Sequence, residues 1–174
     1  RYSKDVQSLI SSGAKQVERL FVSKWSLQAR MEELDDIIKN QQPASKKAIE
    51  AARELGDLRE NSEYKMAREH DEVLSARRME LERDISMAEP IDFSQVSTDR
   101  VNIGSVVTLQ DPDGKQHVYT ILGAWDSDTD KNIFSYKTPI AQAMMEKTVG
   151  DTFETNVEGH KTSYKILKID RYVP

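Results

Sequence analysis

The sequence predicts an α+β protein: a long antiparallel helical hairpin, followed by a small, mostly antiparallel sheet domain with one short helix. Two observations carry this prediction. Apolar residues recur at steps of three and four between Leu27 and Ala88, and runs rich in β-branched and aromatic residues follow Pro90. A chain of 174 residues has room for two modest modules of this kind.

The first arm of the hairpin is predicted from a heptad seam, in which apolar positions alternate at steps of four and three. The seam consists of Leu27, Met31, Leu34, Ile38, Gln41, Ser45, Ala48, Ala52 and Leu55. Its middle is polar and contains Pro43, which removes a helical hydrogen bond and crowds the preceding turn. We therefore expect a weak or kinked stretch near Pro43, beyond which the helix continues.

The same spacing resumes in a second arm after a short connection at residues 56–61. The second seam consists of Tyr64, Ala67, Asp71, Leu74, Arg78, Leu81, Ile85 and Ala88. A connection this short makes the two helices antiparallel neighbours, and arms of nearly thirty residues project about 40 Å. The seam is compatible with burial against the partner arm or against a second copy of the chain. The small residues Ala48 and Ala52 instead predict a thin tip, which suits entry into another molecule.

Five strand-like runs follow Glu89-Pro90, where proline ends the helical pattern. They cover residues 105–109, 117–122, 132–136, 152–155 and 163–169. Asp113-Gly114 and, more weakly, Glu158-Gly159 predict hairpin turns between neighbouring runs. A short helix is predicted from Pro139 to Met145, with Met144 and Met145 contributing to the core.

Composition limits the function classes. The chain is 32% charged with a net charge of −5, which argues against a protein that coats nucleic acid by bulk positive charge, so any RNA contact should be local. It has no cysteine and no apolar run long enough to cross a bilayer, which favours a cytoplasmic protein without membrane partners. It begins at Arg1, which is compatible with a segment of a longer chain.

The first 25 residues contain apolar positions that fit one helical face, interrupted at Ser12-Gly13. These positions are Val6, Leu9, Ile10, Val17, Leu20 and Phe21. No functional motif accompanies them, so the stretch is interpreted as an added segment or as the end of an upstream region.

The connection between the arms carries two carboxylates, Asp57 and Glu60, after Gly56, which is a residue typical of helix C-termini. One interpretation is structural: Asp followed three residues later by Glu has the spacing of a capping box at the start of the second helix. The other is chemical: two carboxylates on an exposed turn can share a magnesium ion, which prefers oxygen ligands and keeps several waters. Such a pair binds the ion weakly alone, so another protein would have to complete the ligand set.

No self-contained active site is found elsewhere in the sequence. His70, His117 and His160 are widely separated, no nucleophile or zinc motif occurs, and the glycines form no phosphate-binding loop. Each histidine is therefore expected to be a surface or structural residue.

The tip sequence, residues 52–64 continued by Ala67-Arg68-Glu69, closely resembles the coiled-coil tip of the bacterial Gre transcript cleavage factors. Pro43, the segment around Ser135 and Thr138-Pro139, and residues 149–151 also fit that family. The resemblance covers about residues 22–169. It implies a coiled-coil domain at 22–90 and an FKBP-like C-terminal domain at 91–174, with residues 1–21 as an extension.

The resemblance also implies a function. Gre factors reach the RNA polymerase active centre through its secondary channel, where Asp57 and Glu60 would help hold a second Mg²⁺ while the polymerase cleaves backtracked RNA near its 3′ end. The factor would be an accessory and not an enzyme, and the FKBP-like fold would not imply prolyl isomerase activity. Contacts to RNA or polymerase are expected from Arg53, Arg59, Asn61, Lys65 and Arg68. Docking on the polymerase is expected from Ser135, Thr138 and Pro139.

Two departures from the family pattern are visible: Thr138 stands where serine is frequent, and residues 1–21 extend beyond the usual start. The absence of a dense basic patch along the arms favours the subfamily that releases short RNA fragments. The alternatives are a channel-binding polymerase inhibitor of the same architecture, against which the intact pair Asp57 and Glu60 argues, and a chaperone or prolyl isomerase, which would need an apolar pocket in the second domain.

Overall fold

The computed structural model describes residues 3–11, 18–57 and 59–174. These residues form two compact units. The first contains the described residues up to 19 together with residues 27–88, and the second contains residues 20–26 and 89–174.

The first unit is helical. Its elements are α1 (Lys4–Ser11), α2 (Lys24–Asp36, from Leu27 onward in this unit), a π-helical turn (Ile37–Gln41), α3 (Gln42–Glu54) and α4 (Ser62–Met87). The segment from α2 to α3 is one continuous arm, and α4 is the other. At 1.5 Å per residue, the 26 residues of α4 extend for about 39 Å, in agreement with the predicted length.

Contacts between the arms confirm that they are antiparallel. Glu33 pairs with Arg77 at 2.7 Å near the base, and Ser45 Oγ donates to Asp71 Oδ1 at 3.0 Å further along. The partner number falls as the first arm's number rises, which is the pattern of an antiparallel hairpin. The α+β prediction with an N-terminal helical hairpin is therefore confirmed.

The π turn immediately precedes Pro43 and accounts for the irregularity that the sequence predicted there. The Gln42 N–H donates to the Ile37 carbonyl, a bond five residues back that accommodates one extra residue per turn. Asp36 accepts hydrogen bonds from the side chains of Asn40 (2.7 Å) and Gln41 (2.6 Å) across this turn. Pro43 lies in the first turn of α3, where its missing N–H costs little.

The first seam is confirmed only in part. The buried side chains are Met31, Leu34, Ile37, Ser45 and Ala52. The predicted seam positions Gln41 and Ala48 are exposed, and Leu55, beyond the end of α3, is 66% exposed, so these three assignments are wrong. Past the π turn, Ser45 and Ala52 keep their predicted buried positions, while Gln42 and Ile49 are half-buried in place of Gln41 and Ala48.

The second seam is confirmed, since each of its predicted positions on α4 is buried or half-buried. Leu74, Leu81 and Ile85 form the core of this unit with Met31, Leu34 and Ile37, and Val6 of α1 is fully buried against the same cluster. The predicted helix around Val6 is thus present as α1. Leu20 and Phe21 belong instead to a strand, so their assignment to the same helical face is wrong, and Val17 and Ser12-Gly13 lie outside the described residues.

The second unit is built on a curled five-stranded mixed sheet. Its strands are β3 (Ser105–Gln110), β4 (Gln116–Leu122), β5 (Ile133–Ser135), β6 (Thr152–Val157) and β7 (His160–Arg171), in the order β5-β4-β3-β7-β6. Neighbours are antiparallel except for β4 and β5, which are parallel. Strands β1 (Leu20–Val22) and β2 (Ala88–Pro90) make a separate two-stranded sheet.

Both predicted hairpin turns are present. Gly114 in the β3–β4 turn has a φ of +84°, and in the β6–β7 turn Glu158 and Gly159 both have positive φ, which is the requirement of a tight hairpin. The predicted short helix is α5 (Pro139–Met144), which packs on the sheet. Met144 is fully buried among Val107, Leu109 and Ile166, and Met145 packs against the same core, as predicted. Among the described residues, no helix is both long and apolar enough to cross a membrane.

Candidate functional site

The tip of the hairpin is shaped by a glycine that ends the first arm. Helix α3 stops at Glu54, Leu55 caps it, and Gly56 follows with a φ of +109°, which only glycine adopts without strain. The Gly56 N–H donates to the Arg53 carbonyl at 3.3 Å, closing the last turn. The chain then reverses before α4 begins at Ser62.

Asn61 caps the second arm and ties it to the first. Its Oδ1 accepts the Tyr64 N–H at 3.0 Å, and its Nδ2 donates to the Ala52 carbonyl at 2.7 Å. Because α4 begins at Ser62, both Asp57 and Glu60 precede the helix. The capping-box interpretation of these two carboxylates is therefore wrong, and Asn61 performs that role.

Asp57 and Glu60 are both exposed on the turn. Asp57 Oδ1 accepts the Arg59 N–H at 3.0 Å, an Asx turn that fixes the carboxylate and leaves Oδ2 outside that bond. Carboxylate oxygens are the donors that Mg²⁺ prefers, so the two residues fit as part of a magnesium ligand set. No group of three or more His, Cys, Asp or Glu side chains suited to a metal occurs in the described part of the chain. The pair is thus an incomplete ligand set.

A groove of about 690 Å³ runs beside Glu60 along the start of α4. It is lined by Arg59, Glu60, Asn61, Ser62, Tyr64, Lys65, Arg68, Glu69 and Glu72. The structure therefore brings together four of the five predicted contact residues, and the groove is lined by three basic side chains (Arg59, Lys65 and Arg68) and three acidic ones (Glu60, Glu69 and Glu72). The basic side chains can pair with phosphate oxygens, and the carboxylates can share a cation.

The fifth predicted contact residue, Arg53, lies just behind the groove. Its guanidinium sits over the Tyr64 ring, 5.7 Å from the centroid. A hydrogen bond from Arg53, with the positive charges of Arg53 and Arg68, holds the pKa of Tyr64 below its usual range. Arg68 itself pairs loosely with Glu72 at 3.9 Å. The guanidinium groups of Arg53 and Arg68 therefore both act on Tyr64.

The three predicted docking residues meet at the turn between β5 and α5. Thr138 caps α5: its Oγ1 accepts the Ala141 N–H at 3.4 Å and donates to the Ser135 carbonyl at 2.8 Å. Ser135 is only 5% exposed, and its Oγ accepts the Lys137 N–H at 3.2 Å. Pro139 is exposed at the first position of the helix. Ser135 and Thr138 are therefore placed to hold the turn that presents Pro139.

Comparison with known proteins assigns the chain to a family. The family model "Transcription elongation factor, N-terminal" matches residues 20–89, and the model "Transcription elongation factor, GreA/GreB, C-term" matches residues 96–171. The chain belongs to the GreA/GreB family of transcription elongation factors. As a Gre-family member it is an accessory transcription factor, and both halves of the chain are covered by the match.

Curated relatives agree with this assignment. The transcription elongation factor GreA of Treponema pallidum (strain Nichols) is 36% identical over 151 residues, which cover 86% of this chain and 93% of the relative. GreA of Neorickettsia sennetsu is 39% identical over 140 residues, which cover 80% of this chain and 88% of the relative.

Among solved structures, the GreA factor homolog 1 (Gfh1) protein of Thermus thermophilus is similar over 88% of this chain and 99% of its own chain, at 20% identity and with a TM-score of 0.40.

Sequence reasoning missed two features of this Gre factor. The cap at Asn61 could have been found, since Asn is a favoured N-cap residue and its amide has the correct spacing to Tyr64. The partner of His117 could not, because Asp111 lies across a hairpin: His117 Nε2 and Asp111 Oδ2 are 2.8 Å apart. That pair agrees with the structural role expected of His117.

Proposed function

We propose that this Gre-family chain binds bacterial RNA polymerase in the cytoplasm, enters its secondary channel with the hairpin, and stimulates the polymerase's endonucleolytic cleavage of backtracked RNA. The observation that carries the proposal is the exposed tip turn, in which Asp57 and Glu60 take no part in capping α4 because Asn61 does so. Two exposed carboxylates that do not cap the helix are available for chemistry. Cleavage would rescue arrested transcription complexes.

Asp57 and Glu60 would complete a magnesium site whose other ligands belong to the polymerase. The Asx turn orients the Asp57 carboxylate, and Glu60 follows three residues later on the same short turn. A shared Mg²⁺, when bound, would orient a water and stabilise the charge on phosphate oxygens during in-line displacement. The two residues bind and position, while the bond-breaking step belongs to the polymerase.

The basic side chains of the groove beside Glu60 support contact with the 3′ end of the nascent RNA. Arg59, Lys65 and Arg68 line it, and Arg53 adds positive charge behind Tyr64. Lys and Arg bind phosphates by charge and hydrogen bonds without reading bases, which suits an RNA of any sequence. Asn61 lines the same groove but is committed to the cap and to Ala52, so its contribution is to hold the turn.

The β5–α5 turn supports docking outside the channel. Pro139 and Lys137 are exposed there on a turn that Ser135 and Thr138 fix from within. A rigid turn loses little conformational freedom on binding. We assign the contact with polymerase to Pro139. Ser135 and Thr138 hold the turn that positions Pro139.

The test uses polymerase complexes stalled in a backtracked register with RNA labelled at its 5′ end. Asp57→Asn and Glu60→Gln should each reduce the rate of factor-stimulated cleavage by roughly 10²-fold or more, the scale of removing a charge-stabilising group from an active site. Polymerase affinity should stay close to that of the unmodified chain. Glu63→Gln is the matched control, since Glu63 is also exposed and acidic but lies inside α4 and does not line the groove.

The same assay separates cleavage stimulation from channel inhibition. If the unmodified chain binds polymerase and slows nucleotide addition without shortening the RNA, the inhibitor alternative is correct. If Asp57→Asn and Glu60→Gln stimulate RNA cleavage as well as Glu63→Gln does, the two carboxylates are not the groups that stimulate cleavage.

A further inference from the structure

The second unit contains a cavity of about 330 Å³ that no step of the proposed cleavage mechanism uses. It is lined by Lys24, Trp25, Ile91, Asp92, Phe93, Ser94, Arg171, Tyr172, Val173 and Pro174. All of these residues belong to the second unit, and none of the three predicted docking residues is among them. The cavity is therefore a separate surface feature of that unit.

Three aromatic side chains form the apolar wall. Trp25 stacks on Phe93 with ring centroids 5.5 Å apart and planes at 24°, and Tyr172 meets Phe93 edge-on at 5.5 Å. Phe93 is buried, whereas Trp25 is 42% exposed. An exposed tryptophan held rigidly by stacking offers a large apolar contact at little entropic cost, which is why Trp and Tyr are enriched where binding energy concentrates.

The charged residues of the rim leave a positive excess. The rim has two basic side chains, Lys24 and Arg171, and one carboxylate, Asp92. Asp92 accepts the Ser94 N–H at 3.0 Å and the Ser94 hydroxyl at 2.6 Å, and these bonds, together with the positive charge of Lys24, hold its pKa below its usual range. Arg171 uses one of its five N–H donors on the Ser94 carbonyl at 2.9 Å and has others left. Lys24 is exposed beside Trp25. The rim is thus complementary to carboxylates placed around an apolar anchor.

We propose that this cavity is a second docking site for RNA polymerase, which takes an acidic protein segment that inserts one large apolar side chain against Trp25. The inference rests on the proposed function for the identity of the partner. A cavity of this size fits a single aliphatic or aromatic side chain, with Lys24 and Arg171 placed to pair with flanking carboxylates.

A protein segment fits the cavity better than single-stranded RNA does. Bases bind by stacking on open aromatic faces beside a basic groove, but here the faces of Trp25 and Phe93 are stacked on each other. The unit also carries 10 basic and 13 acidic side chains, a net charge of −3, which opposes a polyanion. A short acidic segment with an apolar anchor gains from the cavity without meeting that wider repulsion.

The first test measures binding of full-length variants to RNA polymerase. Trp25→Ala should weaken binding roughly 10- to 30-fold, the scale of a central anchor residue. Lys24→Glu combined with Arg171→Glu should weaken it by a factor that shrinks as salt rises. Lys161→Glu with Lys165→Glu is the matched control, because it makes the same change of charge at exposed positions of this unit outside the cavity.

Folding is checked separately. Lys24→Glu alone places a negative charge at the start of α2, where it favours the helix, but it also replaces the attraction between Lys24 and Asp92 with repulsion, so its thermal midpoint decides whether weaker binding arises from unfolding. Thermal unfolding midpoints of all variants are measured beside the affinities. Equal polymerase affinity for Trp25→Ala, Lys24→Glu and the unmodified chain would overturn the proposal.

The second test identifies the occupant. The chain has no cysteine, so Val173→Cys introduces a single thiol at the cavity, on a side chain that is 75% exposed. A photoreactive maleimide attached there should cross-link to an acidic polymerase segment that contains a large apolar residue. Val149→Cys, at a position that is 57% exposed and outside the cavity, is the control.

The outcomes are distinct from those of the proposed function. If the unmodified chain fails to bind polymerase, the proposed function itself fails. If it binds, and Val173→Cys cross-links to RNA, to a basic segment, or no more than Val149→Cys does, the docking site is wrong while the cleavage function stands.

Discussion

Replacing Asn61 should loosen the hairpin tip by an amount that the structure allows us to work out. Its Oδ1 accepts the Tyr64 N–H at 3.0 Å, and loss of such an N-cap costs about 1 kcal/mol. Its Nδ2 donates to the Ala52 carbonyl at 2.7 Å, a bond worth about 1 kcal/mol more. Asn61→Ala should therefore destabilise the tip by about 2 kcal/mol, which is about 30-fold in its opening equilibrium.

Asn61→Asp separates the two contributions. The carboxylate keeps the acceptor for the Tyr64 N–H and places a negative charge at the start of α4, which favours the helix. It loses the donor to Ala52, so the cost should be about 1 kcal/mol or less. The tip should therefore be most stable in the unmodified chain, less stable in Asn61→Asp and least stable in Asn61→Ala.

Amide hydrogen exchange followed by NMR measures this opening at the Tyr64 N–H. Exchange should be about 30-fold faster in Asn61→Ala and clearly less accelerated in Asn61→Asp. Glu63→Ala is the control, because Glu63 is exposed in the same turn and makes neither of the Asn61 bonds. Unchanged exchange in Asn61→Ala would refute the cap, and equal acceleration in both variants would place the whole stabilisation in the bond to Ala52.

Three further perturbations have expected outcomes. Gly123→Ala should lower the thermal midpoint by the equivalent of about 1–3 kcal/mol, since an added Cβ would lie 2.5 Å from Asp126 Oδ2; an unchanged midpoint would contradict this close packing. The hydrogen bond from His117 holds the pKa of Asp111 below its usual range, so the ionised Asp111 stabilises the folded state. This contribution to the free energy of unfolding is fully present above the ordinary carboxyl pKa of about 4 and is lost as pH falls through the lowered pKa. Asp111→Asn should therefore be less stable than the unmodified chain at pH 6, with a difference that fades in acid; a difference independent of pH would exclude this linkage. Arg68→Glu should reduce cleavage stimulation most at low salt, because screening weakens an electrostatic contact, and a deficit that ignores salt would point to misfolding.

Local patterns in the sequence were sufficient wherever the backbone kept a regular repeat. The α4 seam was predicted residue by residue because 26 uninterrupted helical residues preserve the alternation of three and four. The first arm shows where this fails. Pro43 indicated an irregularity, but the π turn before it, and the resulting burial of Ile37, depend on packing that no local spacing encodes.

Local patterns also do not predict which strands pair when they are far apart in the sequence. The strand positions and both hairpin turns were predicted, yet the parallel pairing of β5 with β4 was not, since sheet order is set by contacts between segments far apart in sequence. At the tip, the sequence left two interpretations of Asp57 and Glu60. The structure decides between capping and exposure, while their role with magnesium comes from family resemblance and stays a prediction.

The residues that join the start of α2 to the sheet unit show why domain limits are the hardest part to predict from sequence. The division at residues 22 and 91 follows the family resemblance and the change of pattern at Glu89-Pro90, but residues 20–26 belong to the compact unit of residues 89–174. The Asp126 carboxylate holds them there: it accepts the Ser23 N–H at 3.1 Å, the Ser23 hydroxyl at 2.6 Å, and the Ser26 hydroxyl. Ser23 in turn accepts the Ser26 N–H, so this buried serine holds the first residues of α2 within the second unit. A fragment that starts at residue 91 would leave Asp126 without these partners, and division of labour between the halves is therefore better tested by substitutions in the full chain.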